Sequence, residues 1–154
     1  MDALVLVRAH PDAPLPPGLQ PSQSSCEGTD AERHAHTRAG WPPCGAMQIV
    51  NVPGAGTQGE TTSMKISAYT MDQFAGYIGA ILGGPSANQT GLSGHFDLQF
   101  SYVRPLPDAA LGDPVPEGPS LGVAVEEQLG LRVERRRARV PVVVIDAVTL
   151  PSPD

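Results

Sequence analysis

Hydrophobic and polar positions alternate most cleanly at Phe96, Leu98, Phe100 and Tyr102, which are separated by Asp97, Gln99 and Ser101. This two-residue period predicts a strand with one buried face. A weaker alternation at Met47–Val52 predicts a short strand. A third at Ser63–Ala68 predicts a strand with Met64, Ile66 and Ala68 facing a core. Ala3 to Arg8 is continuously apolar up to its last residue and reads as a strand that ends at the turn-like cluster His10-Pro11-Asp12. Helical spacing replaces strand spacing at Met71, Phe74, Ala75, Ile78 and Leu82. Thr70 stands where an N-cap belongs, Gln73 completes a capping box, and Gly83-Gly84-Pro85 stops the helix. The interior glycines Gly76 and Gly79 weaken that helix by about 1 kcal/mol each against alanine.

The last third of the chain predicts an αββ unit. Ser120, or Pro119 in the first turn, supplies a helix start. Leu121, Ala124, Val125, Gln128 and Leu129 share one face, with Gln128 its polar intruder. Gly130 occupies the left-handed position after the helix, and Leu131 can fold back onto the last turn. A strand from Leu131, a basic turn and the β-branched run Val140 to Ile145 follow, the run being read as a strand buried on both faces. Between the elements lie a Pro-rich stretch from Pro11 to Pro43 with almost nothing to bury, a Gly-rich linker from Pro53 to Thr61, and a second Pro-rich loop from Arg104 to Gly118.

Composition sharpens this picture. The 154 residues suffice for one domain of ordinary size, but 17 Gly and 17 Pro beside a hydrophobic fraction of 40% assign much of the chain to loops. A net charge of −6 argues against nucleic acid as a partner, because nucleic-acid-binding domains are basic. No apolar run approaches the roughly 20 residues of a membrane span. Leu4 to Val7 is too short for the apolar part of a signal peptide.

Candidate chemistry is sparse. Cys26 and Cys44 lie in a stretch poor in hydrophobic residues, where a cross-link would stabilise most. A disulfide is the leading reading, with free thiols and metal ligation as the alternatives. With His34 and His36 the two cysteines offer the right residue types for zinc, at spacings that match neither a finger nor a ribbon. Arg132, Arg135, Arg136, Arg137 and Arg139 hold half of the ten basic residues. They could contact an anion or an acidic partner, or simply form a solvated turn that keeps an edge strand from aggregating. Thr90-Gly91-Leu92-Ser93-Gly94 lacks the lysine and glycine spacing of a phosphate loop and reads as a tight lead-in to the Phe96 strand. His95 and Asp97 are two apart, on one strand face, and with His10 they hint at acid–base work. No nucleophile with an identifiable base accompanies them.

Thr90-Gly91-Leu92-Ser93-Gly94-His95-Phe96-Asp97-Leu98, Gly118-Pro119-Ser120-Leu121, Glu127-Gln128-Leu129-Gly130-Leu131 and Val144-Ile145-Asp146 carry a family likeness. From about Met47 to its end the chain resembles a Solibacter-type paralogous family, abundant in acidobacterial genomes and without an assigned activity. The likeness is looser before Met47, where Cys26 and Cys44-Gly45 resemble the family's cysteine pair. Where the family usually has Asp-Lys ahead of Thr-Gly, this chain has Asn88-Gln89. The resemblance implies an exported parent protein with two copies of a helix–strand–strand–helix–strand pattern. This chain would then be a C-terminal portion keeping the second copy and the last strand of the first. The pattern is similar, at the level of fold alone, to the small α/β modules of secretins and receptor signalling domains. Some family members are fused behind membrane metallopeptidases of the penicillin-sensor type, which implies a membrane-associated parent. Neither activity is expected of this chain. Thr62-Ser63-Met64-Lys65 puts threonine where Ser-x-x-Lys needs its nucleophile, and His-Glu-x-x-His is absent from the sequence.

These readings predict an α+β fold, a small mixed or antiparallel sheet with two helices on one face and a long Pro-rich irregular region. Residues 1–10 are expected to be the terminal strand of a preceding repeat, 11–45 an irregular loop, and 46–154 the α+β domain. The expected function is a non-enzymatic binding or sensor module, periplasmic or secreted, without a cofactor, whose partner is an unidentified protein or small ligand. The alternative is a scaffolding half that pairs with a missing first repeat through the strand at Ala3–Arg8.

Overall fold

The computed structural model describes residues 2–24, 26–35, 37–140 and 144, and every structural statement below concerns these residues. Seven strands and three helices follow one another as β1 (Asp2–Arg8), β2 (Leu19–Pro21), α1 (Asp30–Ala35), β3 (Met47–Pro53), β4 (Gly59–Tyr69), α2 (Met71–Leu82), β5 (Ser86–Asn88), β6 (Phe96–Pro105), α3 (Leu121–Leu129) and β7 (Leu131–Arg137). The class is α+β. The strands divide between two sheets, a mixed three-stranded one in the order β5-β1-β7 and an antiparallel four-stranded one in the order β2-β6-β4-β3.

Alternation along β4 and β6 builds the larger sheet. Met64, Ile66, Phe96, Leu98, Phe100 and Tyr102 all point into the core, which Phe74 and Ile78 of α2 and Ala124, Val125 and Leu129 of α3 share with Leu6 and Leu131 of the smaller sheet. Phe74 meets Phe100 edge to face at 6.0 Å between ring centres, a favoured aromatic geometry.

α2 starts as its sequence dictates. Thr70 accepts from the Gln73 amide at 3.2 Å, and the Gln73 side chain accepts the Thr70 amide at 2.9 Å. Gly83 ends it in the left-handed region at φ 72°. Leu82, expected on the apolar face, is exposed instead, and Gly79 is buried in its place. A Cβ at Gly79 would stand 2.7 Å from Ser86 Oγ and 2.8 Å from the Gly84 carbonyl. That glycine lets the helix lie against β5, a contact that offsets its low helix propensity.

β1 is the centre of the smaller sheet, parallel to β5 and antiparallel to β7 along its whole length. Both of its edges are therefore used within the chain. The segment 11–45, expected to bury almost nothing, contributes the fully buried Leu19, whose strand pairs with β6. Two leucines spaced among prolines, Leu15 and Leu19, produce no period for a sequence reading to find.

Of the arginines expected in a turn, Arg135, Arg136 and Arg137 lie in β7, each residue from Leu131 to Arg137 opposite one of β1, and Arg139 follows the strand. An edge strand tolerates charged side chains because their stems cover apolar surface while the heads reach water. The buried strand expected at Val140–Ile145 falls mostly outside the described residues. Val140 and Val144, which are described, lie in no strand, and Val144 is 70% exposed.

Candidate binding groove

The loop that leaves β1 folds back over the end of α3. Arg8 holds it there, donating from Nη1 to the Pro11 carbonyl at 2.8 Å and from Nη2 to the Ala13 carbonyl at 2.6 Å. The Ala9 amide donates to the Gly130 carbonyl at 2.9 Å, tying the exit of β1 to the exit of α3. Gly130 adopts φ 64°, and a Cβ there would press on the Pro16 ring at 3.3 Å. Sequence placed this glycine by its role as a helix stop. The structure adds that it clears the floor of a groove.

That groove encloses about 500 Å³ between the β1–β2 connection and α3, within the size range of small-molecule sites. Ala13, Pro14, Pro16 and Val123 give it apolar walls, and Arg8, His10, Glu126 and Glu127 give it polar and ionisable ones. Glu126 accepts from Arg132 Nη2 at 2.9 Å. This hydrogen bond holds the Glu126 carboxyl below the ordinary value against the opposing effect of desolvation, with weaker electrostatic help from Arg132 and His10. The same bond raises the Arg132 guanidinium. Arg8 is spent on backbone carbonyls, while its Nε is buried with no partner among the described residues.

The other candidates do not gather around this groove. Successive side chains of a strand alternate between its faces, so Arg132 and Arg136 project from the side of β7 opposite Arg135 and Arg137. Arg136 donates to Gln89 Oε1 at 2.6 Å and lies 3.7 Å from Glu134, while Arg137 is 4.0 Å from Asp2. Arg139 lies beyond the strand beside Asp72 and β5. The five arginines thus form no common anion cradle.

Cys26 and Cys44 form a disulfide, with Cα atoms 5.3 Å apart and the two cysteines 18 positions apart in sequence. Neither sulfur is then a thiolate that could ligate zinc. His34 Nδ1 is 2.6 Å from the Asp30 carbonyl, and His36 is outside the described residues. No cluster of metal-ligating side chains occurs among the described residues.

Asp97, a candidate for acid–base work, is buried and structural. Its Oδ1 accepts the amide of Ala68 at 3.0 Å, where β4 bulges between Ile66 and Tyr69 and Ala68 takes φ 54°. Asp97 Oδ2 also lies 4.0 Å from Arg38. His95 sits in an exposed loop beside Ser24, Cys26 and Glu27. The Thr90–Gly94 loop is closed on itself. Asn88 Oδ1 accepts the Thr90 amide at 3.0 Å and its hydroxyl at 2.8 Å, and Thr90 Oγ1 accepts the Leu92 amide at 3.2 Å.

Sequence reasoning did not single out Arg8, Val123, Glu126 or Glu127. They come from two segments more than a hundred residues apart, and only the paired ends of β1 and β7 bring them together. The cluster of prolines after Arg8 was the one available signal.

Fold and surface together define a disulfide-bearing α+β domain with an open groove of mixed polarity. A family model described as "Protein of unknown function (DUF3738)" matches residues 1–148, and the chain belongs to that family. No curated protein and no solved structure gives a significant match. No helix among the described residues is long and apolar enough to cross a membrane.

Proposed function

We propose that this domain is a non-enzymatic binding or sensor module working outside the cytoplasm, with the groove between α3 and the β1–β2 connection as its ligand surface. The observation that carries the reading is the groove's lining, apolar on Pro14, Pro16 and Val123 and charged on Glu126 and Glu127. Glu126 is balanced by Arg132, and the positive charge of Arg8 is already turned onto carbonyl oxygens. Glu127 is exposed at the rim. Glu127 is the one carboxylate of the lining with no ion pair among the described residues, so a ligand with an apolar body and a cationic end would find its counter-charge there. The disulfide fits an oxidising compartment, in keeping with the exported parent implied by the resemblance to the acidobacterial paralogous family.

The test is a screen of small amphipathic amines and matched carboxylates against the isotopically labelled chain, read by amide chemical shifts. Amines are expected to move residues 8–16 and 123–130, and Val123→Arg, which fills the groove, is expected to abolish the response. Hits that bind the Val123→Arg variant unchanged would sink the groove as the site. Turnover of a substrate by the isolated chain would sink the non-enzymatic reading.

A further inference from the structure

β7 forms one edge of the smaller sheet and pairs only with β1 among the described residues. The chain beyond it turns away from that edge, since Arg139 and Val140 lie beside Asp72 and β5, on the far side of β1. The hydrogen bonds around β1 fix which backbone groups of β7 face outward. The Leu4 amide donates to the Pro85 carbonyl at 2.8 Å and the Leu6 carbonyl accepts the Gln89 amide at 2.8 Å, so the backbone of Leu4 and Leu6 faces β5. On the other side the Ala9 amide donates to the Gly130 carbonyl at 2.9 Å, which sets the same alternation. Ala3, Val5 and Val7 therefore bond with Arg136, Glu134 and Arg132, while Val133, Arg135 and Arg137 turn their N–H and C=O groups away from β1. Those outward groups take no partner among the described residues.

The same three residues share one side-chain face. Arg132 and Arg136, on the opposite face, are engaged by Glu126 and Gln89. Arg135 is exposed and has no ion pair among the described residues, and Arg137, 91% exposed, comes no nearer than 4.0 Å to Asp2. Val133 is partly buried against the core. Unneutralised arginines side by side stand out on a chain with 16 acidic against 10 basic residues. Charge on an edge strand turns away neutral strands and further copies of itself. An acidic strand is the one it complements, because opposite charges directly across a ladder attract and like charges repel.

We propose that the free edge of β7 takes an extended acidic peptide segment of a partner protein, added antiparallel as a fourth strand of the smaller sheet. Its carboxylates stand opposite Arg137 and Arg135 and an apolar side chain opposite Val133, so the segment reads acid-x-acid-x-apolar from its N-terminal side. The outward backbone groups supply the ladder and the arginines set partner and register. Arginines that form no common cradle suit this ligand, since a strand meets them one at a time along its length. A lipid surface or a nucleic acid would use the guanidinium groups and leave the backbone groups bare, and the net charge of −6 opposes both. The site is separate from the groove at α3, and neither reading depends on the other.

The probe is the end-blocked peptide Thr-Glu-Thr-Glu-Thr-Val-Thr, titrated into the isotopically labelled full chain at up to about 1 mM, the range of weak complexes. Hydrogen exchange is expected to slow at the outward amides of Val133, Arg135 and Arg137, and to change little at Arg132, Glu134 and Arg136, already bonded to β1. Replacing both glutamates of the peptide by glutamine should weaken binding about tenfold, as two cross-strand charge pairs would. Methylating the backbone nitrogens of those glutamates keeps the charge but removes the ladder donors, and should abolish binding. The double variant Arg135→Glu, Arg137→Glu should reject the peptide and accept its lysine counterpart, which also shows that the variant is folded. No binding at the highest concentration, equal binding of the glutamine or the methylated peptide, or protection confined to other residues each overturns the proposal. Phosphatidylserine vesicles that bind through the same arginines while the peptide does not would assign the patch to a charged surface and overturn it too.

Discussion

The side-chain amide of Gln128 grips the backbone of Ser101 from both sides, Oε1 accepting its N–H at 2.9 Å and Nε2 donating to its carbonyl at 2.8 Å. Ser101 lies in β6 just past the residues that β2 covers, since β2 pairs with Leu98, Asp97 and Phe96 only. The Gly18 carbonyl takes the Gln99 amide at 2.8 Å, and Gln128 continues the ladder where the short strand has ended. A polar residue on the apolar face of α3 is thereby explained. It supplies a donor and an acceptor that the sheet edge would otherwise leave unmatched under the helix. Gln128→Ala should cost about 1–3 kcal/mol, the range for stranding buried backbone groups. Urea unfolding would measure this, and a loss under half a kilocalorie would show that water replaces the amide readily.

Asp97 and Ala68 form a second such device. The carboxylate satisfies a buried amide at a bulge where a non-glycine residue sits at positive φ, a conformation that persists only when its surroundings over-determine it. Asp97→Ala should destabilise by about 1–3 kcal/mol. Asp97→Asn, which keeps an acceptor at the same place, should lose clearly less. Equal losses in the two variants would assign the effect to the charge, through Arg38 at 4.0 Å, and not to the bulge.

The disulfide is expected to govern the stretch between its ends. Cys26 sits in a loop ahead of α1, and Cys44 is anchored, through its neighbours Gly45 and Ala46, to the backbone of Ser67 in β4. Cross-linking 18 residues apart removes loop entropy from the unfolded chain, worth about 3 kcal/mol on the chain-entropy account. The double variant Cys26→Ser, Cys44→Ser should therefore unfold at lower denaturant by that order. Limited proteolysis should cut it first between residues 26 and 44. Cleavage elsewhere first, with this stretch intact, would show that the trapped segment holds itself.

What the sequence made legible was whatever has a short period or a local cap. The alternation of β6, the capping box at Thr70 and Gln73 and the left-handed stops at Gly83 and Gly130 were all readable, because each depends on neighbours within one or two turns. Ser120 was placed correctly as the start of α3 although its hydroxyl makes no capping bond. The strand expected from Leu131 is β7, but its end at Arg135–Arg137 reads as a turn because its strand character comes from β1, more than a hundred residues away, and not from its own side chains. β5 is three residues of Ser, Ala and Asn, defined by parallel pairing with Leu4–Leu6 alone. The groove was invisible for the same reason, being made where β1 and α3 end side by side.

The Glu126–Arg132 pair gives the groove wall a pH dependence whose sign can be worked out. Its carboxyl is held below the ordinary value, chiefly by the hydrogen bond from Arg132. A carboxylate with a depressed folded-state pKa contributes stability that is present above its unfolded value and is lost as pH falls through the folded one. Arg132 is shifted upward and stays charged throughout, so the loss belongs to the acid side. Both groups are well exposed, which makes the contribution small and sensitive to salt. The Glu126→Gln variant should therefore be slightly less stable than the parent at about pH 7, the difference shrinking as pH falls below the ordinary carboxylate range and shrinking also in high salt. Paired urea titrations would read this directly. A difference that persisted at low pH would mean that Glu126 acts through packing in the groove and not through its charge.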